Sequence, residues 1–244
     1  MVLSYTDIEK IADATMDDFN KFMFPAGRDL EGIMPHGTPI DQFASDYLKL
    51  KVTFEHLSSD GSFCGLTAYE DTSYTLEENG VVRVIPLKRN QVLLDSSFIE
   101  PGKVKKLCGK RRFTLAHECA HQILFQLENE ETKTSCRKKY SERKCYSLRD
   151  LKNREDWNEW QANALGAALL MPQKEIGLAV WRFSSGKNLV SYNGYFNYMD
   201  HQAVKMMCDA FRVSRSALII RLAQLGYLDK RPFTEYYDPL EILA

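Results

Sequence analysis

The sequence predicts an α+β fold, with a small meandering β-sheet first, then a long helix and further helices. Three observations predict it. Residues 51 to 94 hold short alternating or β-branched runs separated by turn residues such as Glu78, Asn79 and Gly80. From residue 111 onward the apolar residues recur every three or four positions instead. No proline stands between Pro101 and Pro172, so nothing in that stretch forbids long helices.

The elements follow in order. Tyr5 to Phe22 has the spacing of an amphipathic helix and leads into PAGRDLEGIMPHGTP, rich in glycine and proline, so residues 1–37 form a helical arm and loop. Thr38 suits an N-cap and Pro39 a first helical position for a helix ending near Leu48. KVTFEHL then alternates as a strand, and Phe63–Ala68, Ser73–Leu76, Val81–Ile85 and Gln91–Leu94 continue the strand signals. An exposed edge strand of such a sheet can pair with an extended peptide, although the sequence does not say which strand lies at the edge. Between Arg111 and Leu127 the residues Phe113, Ala116, Ala120, Ile123, Leu124 and Leu127 form one helical stripe. Glu155 to Leu170 is a second helix, rich in Ala162, Ala164, Ala167 and Ala168, and Pro172 closes it. Residues 38–172 thus make one core. Residues 173–244 form a helical segment expected to pack on that core, within which His201–Ala210, an RVS turn and Ser214–Leu225 outline a helix-turn-helix.

The chemistry is concentrated at HECAH, residues 117–121. Histidines four apart on a helix project from one face and can offer imidazole nitrogens to a single metal ion. Glu118 lies one step round that face, where its carboxylate reaches a water on the metal but is poorly placed to be a ligand. Two histidines do not fill a catalytic zinc site, which usually takes three protein ligands and keeps one position open. Cys119 points to the opposite side and suits packing. Glu159 is the better third ligand, because its alanine-rich helix can approach the first one closely. Glu155 and Asp156 compete on composition alone, and acidic residues at a helix start are sufficiently explained by the dipole. Asn163, one turn beyond Glu159, can hydrogen-bond a ligand histidine.

Three separated strings, RRFTLAHECAHQILF, EWQANALGAALLMP and FRVSRSALIIRLAQLGYL, occur in an order that resembles the ImmA/IrrE family of metallo-endopeptidases over roughly residues 39 to 228. That family is similar in outline to the gluzincins. The resemblance implies a zincin-like core with Zn2+ held by His117, His121 and Glu159, and with Glu118 as the base of peptide-bond hydrolysis. It also implies a regulatory protease whose protein substrate is a repressor-type DNA-binding protein, in a mobile-element or stress-response setting. One departure is Gln161, where many members carry a second acid.

Composition fits this reading. The chain of 244 residues and 28.1 kDa can bury one sizeable core, and its net charge is −1. Lys133 to Arg154 nevertheless holds nine basic against two acidic residues, a run better explained as a solvated surface than as a site for an acidic partner. The six cysteines include no CxxC pair. Cys136 and Cys145 could form a disulfide or hold a second metal, but free thiols are the default. The first residues lack the pattern of a secretory signal, and no stretch reaches the roughly 20 apolar residues of a membrane helix, so a cytoplasmic protein without membrane contact is expected. His36 and His56 suit surface or packing roles, whereas His201, Tyr192, Tyr195 and Tyr227 are candidates for stabilising an oxyanion. The competing class is a DNA-binding transcriptional regulator with a structural or vestigial zinc site. It is less favoured, because its second helix, largely apolar, offers mainly Arg215 and Arg221 to bases.

Overall fold

The computed structural model describes residues 2–26, 34–58, 60–61, 63–128 and 154–238, the side chains of 154–156 excepted. The fold is α+β. The chain divides into two compact units, Met1–Pro25 with Pro39–Leu170 and Ala26–Thr38 with Met171–Ala244.

In the first unit, helix α1 (Tyr5–Met23) starts at a reciprocal cap in which Ser4 accepts from the Asp7 N–H and the Asp7 carboxylate accepts from Ser4. Its buried residues Ile8, Ala12, Met16 and Phe19 keep helical spacing, and the helix packs against α4 (Arg154–Leu170). A single turn, α2 (Ile40–Gln42), widens into a π-helical turn, Phe43–Tyr47. Pro39 is the cap here, so Thr38 does not cap this helix as the sequence suggests; the helix starts one residue later. The turn buries Phe43 edge-on to Phe19, with ring centroids 5.1 Å apart, and lets the Tyr47 hydroxyl donate to Asp18 at 2.7 Å. Burial, and after it this bond to a carboxylate, pushes the Tyr47 phenol up to about 12.

Strands β1 (Lys51–Glu55), β2 (Gly65–Ala68) and β5 (Gln91–Asp95) form one sheet in the order β1-β5-β2, with β1 parallel and β2 antiparallel to β5. Sequential order would not place β5 in the centre. Its burial fits that place, because Val92, Leu93 and Leu94 are all fully buried, and an inner strand covers both faces of a continuous apolar run. Strands β3 (Thr72–Glu78) and β4 (Val81–Leu87) make a separate hairpin. Its two-residue loop, Asn79-Gly80, has positive φ at both positions, the geometry that suits the twist of a tight hairpin. Leu57, Leu66, Ala68, Ile85, Leu87 and Leu93 join hairpin and sheet in one buried cluster.

Helix α3 (Val104–Leu127) runs 24 residues and begins seven residues before Arg111, the start expected from the apolar spacing. Lys105, Lys106 and Lys110 in those early turns are exposed, so that part has no buried face for periodicity to reveal. Arg111 anchors α3 by gripping Asp41 with two hydrogen bonds of 2.6 and 2.8 Å.

The second unit contains α5 (Gln173–Ser184), β6 (Leu189–Tyr192), α6 (Tyr198–Phe211), α7 (Arg215–Gln224) and β7 (Leu228–Arg231). Helices α6 and α7 are the expected pair, joined through Arg212 in the left-handed conformation and capped at Ser214, which accepts from the Ala217 N–H. Strands β6 and β7 pair in parallel, although four residues each are too few to show an alternating pattern. Arg221 is fully buried and its Nε donates to the Met171 carbonyl at 3.0 Å, while Arg215 is exposed and lies over the Phe196 ring. Of the two basic side chains that the sequence offers to a nucleic acid, one is therefore withdrawn into the core. No helix among the described residues is long and apolar enough to cross a membrane.

Candidate metal centre

Helix α3 turns His117 and His121 to the same side, both buried, with the two rings at 85°. Their Nε2 atoms face each other at 3.0 Å. Glu159, from the first half of α4, completes the group, with Oε2 3.3 Å from His117 Nε2 and Oε1 3.2 Å from His121 Nε2. Burial opposes ionisation of Glu159, yet hydrogen bonds from both histidines and the attraction of their charges outweigh it and hold the carboxyl at about 2.

The chemistry of this donor set fits a divalent cation. Four ligands around a tetrahedral ion at roughly 2.0–2.1 Å lie about 3.3 Å from one another. The three separations here, 3.0, 3.3 and 3.2 Å, are close to that value, so an ion of this size can be taken up with small adjustments. Two imidazoles and one carboxylate are borderline ligands of the kind that catalytic zinc accepts, and three of them leave a fourth position. Among the described residues this is the one group of three or more His, Cys, Asp or Glu side chains placed to hold an ion.

Two glycines bring the parts together, and periodicity alone marks neither. Gly166 lies two turns beyond Glu159 on the face of α4 that meets α3. A Cβ there would stand 3.0 Å from the His117 backbone nitrogen and 3.1 Å from its Cα, so only glycine lets the two backbones approach this closely. Gly166→Ala is expected to force α3 and α4 apart by a few tenths of an ångström. Zinc affinity, measured by competition with a chromogenic chelator, should fall about tenfold although every ligand remains, because supports of ligand geometry typically contribute that much. Unchanged affinity would show that the close approach does not set the site.

Gly65, the first residue of β2, serves Glu118 in the same way. A Cβ on Gly65 would lie 3.2 Å from Glu118 Oε1 and 2.6 Å from Thr114 Cγ2. The bare backbone therefore leaves room for the buried Glu118 carboxylate. Gln122 then pins α3 to the same strand, its Nε2 donating to Thr67 Oγ1 at 2.6 Å and to the Ala68 carbonyl at 3.2 Å. All four residues of β2 are buried, so this outer strand lacks the exposed edge anticipated for an incoming peptide.

The other candidates are distributed as follows. Cys119 is buried away from the metal group, and burial, reinforced by the charge of Glu118, pushes its thiol well above the ordinary range, consistent with a neutral packing residue. Asn163 is half-buried one turn beyond Glu159. His56 lies 2.9 Å from Glu78, and His36 is exposed in the second unit. His201, Tyr192, Tyr195 and Tyr227 also belong to the second unit. The side chains of Glu155 and Asp156, Cys136, Cys145 and the basic side chains of 133–154 lie outside the described residues.

Residues 108–222 match the family profile described as the IrrE N-terminal-like domain, Peptidase_M78. The matched stretch takes in both histidines, Glu118 and Glu159. No curated protein and no solved structure matches the chain significantly.

Proposed function

We propose that this protein, whose residues 108–222 match the IrrE N-terminal-like domain profile, is a zinc-dependent endopeptidase of the ImmA/IrrE type acting on a repressor-type DNA-binding protein. The observation that carries this reading is the convergence of His117, His121 and Glu159 at separations suited to one tetrahedral ion, with Glu118, next to His117 on the same helix, fully buried.

In this reading His117 Nε2, His121 Nε2 and the Glu159 carboxylate hold the ion. The ion supplies Lewis acidity toward the scissile carbonyl and brings the pKa of water down toward about 7. Glu118 takes one proton from the attacking water as the hydroxyl oxygen bonds to the carbonyl carbon. The same carboxyl then delivers that proton to the amine nitrogen as the C–N bond breaks, which returns Glu118 to its charged form. Burial of Glu118 keeps bulk water from competing for the proton, and the close packing at Gly65 fixes its direction.

The substrate rests on the family relation, and its test is direct. Purified protein loaded with zinc is incubated with the repressor encoded nearest to its own gene. Cleavage at a defined bond is expected, lost on chelation and restored by added zinc. A repressor left intact by the zinc-loaded protein, with no chelator present, would reject the substrate.

A further inference from the structure

The outer edge of β4 is bare. The inward residues Ile85 and Leu87 join the buried cluster, whereas Val81, Val82 and Val84 are 67, 61 and 59% exposed. Sheets usually guard such an edge with charges, because an open apolar edge invites another strand, yet β4 carries no lysine. The hairpin is a two-stranded sheet, so among the described residues β4 has β3 on one side and no strand on the other.

Register fixes which backbone groups face outward. The two-residue loop makes Glu78 and Val81 a hydrogen-bonded pair, and bonding then alternates along the ladder through Leu76↔Arg83, Tyr74↔Ile85 and Thr72↔Leu87. The N–H and C=O groups of Val82 and Val84 therefore point away from β3. Neither residue has a backbone hydrogen bond outside the hairpin among the described residues. Pro86 belongs to the same outward set, where its missing N–H takes nothing from the pairing with β3.

An edge of this kind is matched by an extended strand, and β4 matches its own. The run Val81-Val82-Arg83-Val84-Ile85 places β-branched residues at equal distances on either side of Arg83. A twofold axis through Arg83, perpendicular to the sheet, sets two such strands antiparallel. Val82 then pairs with the partner's Val84, Val84 with the partner's Val82, and Val81 with the partner's Ile85. Hydrogen bonds run both ways within each Val82–Val84 pair, donor to acceptor, and the valines of both copies form one patch on the exposed face. Pro86 falls opposite the partner's Gly80, in the turn, so it ends the ladder without breaking it. At the centre Arg83 meets the partner's Arg83, a like-charge contact eased by Glu55, which accepts from each guanidinium at 2.7 Å. We propose that β4 is a self-association edge, through which two copies of this chain form a dimer with one continuous sheet in the order β3-β4-β4-β3. A single strand edge is small beside the roughly 1,200–2,000 Å² of a standard interface, so the dimer is reversible. The inference does not depend on the peptidase reading.

The test uses full-length zinc-loaded protein. Sedimentation equilibrium from micromolar to near-millimolar concentration should show a reversible monomer–dimer equilibrium. Val84→Lys puts a charge into both valine pairs and is expected to weaken the dimer at least about tenfold, whereas Val84→Thr, which keeps the branch at Cβ, should stay within a few-fold of the unsubstituted protein. Residue 84 is exposed, so neither variant should move the thermal melt. Directly opposed residues of a non-hydrogen-bonded pair stand about 4.5 Å apart at Cα, within the roughly 4.4–6.8 Å that a disulfide spans. Arg83→Cys should therefore cross-link on mild oxidation, with peptide mapping placing the bond between the two substituted positions. Thr75→Cys, also exposed on the hairpin but separated from its counterpart by both β4 strands, at least about 14 Å, should not.

A monomer at every concentration overturns the proposal; if the Val82 and Val84 amides then gain protection from hydrogen exchange only when the repressor is added, the edge belongs to a foreign strand. A dimer indifferent to Val84→Lys, or one that cross-links through Thr75→Cys and not through Arg83→Cys, uses another surface and overturns it as well.

Discussion

Glu118→Gln is expected to take up one zinc ion per chain, as the unsubstituted protein does, and to cleave its substrate about 10²–10⁴-fold more slowly, the usual contribution of a positioned general base. The substitution keeps the size and nearly the shape of the side chain, so the space at Gly65 that fits Glu118 still fits glutamine. It removes only the capacity to accept and return a proton. Metal content read by mass spectrometry, together with turnover on the repressor, separates the two properties. Turnover within a few-fold of the unsubstituted protein would remove Glu118 from the proposed chemistry, whatever the metal content.

The ligand substitutions should behave differently. His117→Ala removes one of three donors and leaves His121 and Glu159 facing an empty corner; Glu159→Gln keeps the shape but removes the charge. Both are expected to weaken zinc binding by more than about a hundredfold, since partners that merely orient a ligand already account for 10–100-fold. Activity should disappear with the metal, and excess zinc should restore part of it in Glu159→Gln before it does in His117→Ala, because an amide oxygen can still approach the ion. Full zinc occupancy at stoichiometric metal in Glu159→Gln would exclude this carboxylate as a necessary ligand. The folds of these variants are checked by their thermal melts, as each alters a buried group.

How much of this is legible in the sequence depends on the range of the interaction. The pairing of His117 with His121 is local: a four-residue step on a helix fixes it without knowledge of the rest of the chain. Glu159 is legible one level further, since the alanine-rich stretch behind it signals a helix built for close contact. The long-range supports are not. Nothing in the local pattern around Gly65 or Gly166 says which backbone each will meet, and nothing around Leu3 says that its N–H will end at Gln161. The sheet follows the same rule. The turn at Asn79-Gly80 is written in two residues, whereas the entry of β5 between β1 and β2 is settled by which strand has the greatest apolar surface to cover. Arg221 illustrates the converse, a charged side chain that counts as a surface group in sequence and ends buried against the Met171 carbonyl.

The measurement closest to the central claim is a crystal structure of the zinc-loaded protein with anomalous data collected on both sides of the zinc edge. The account predicts one peak within roughly 2.0–2.2 Å of His117 Nε2, His121 Nε2 and a Glu159 carboxylate oxygen, with a fourth position left to solvent. A zinc ion bound elsewhere, or one held by the two histidines with Glu159 turned away, would contradict it.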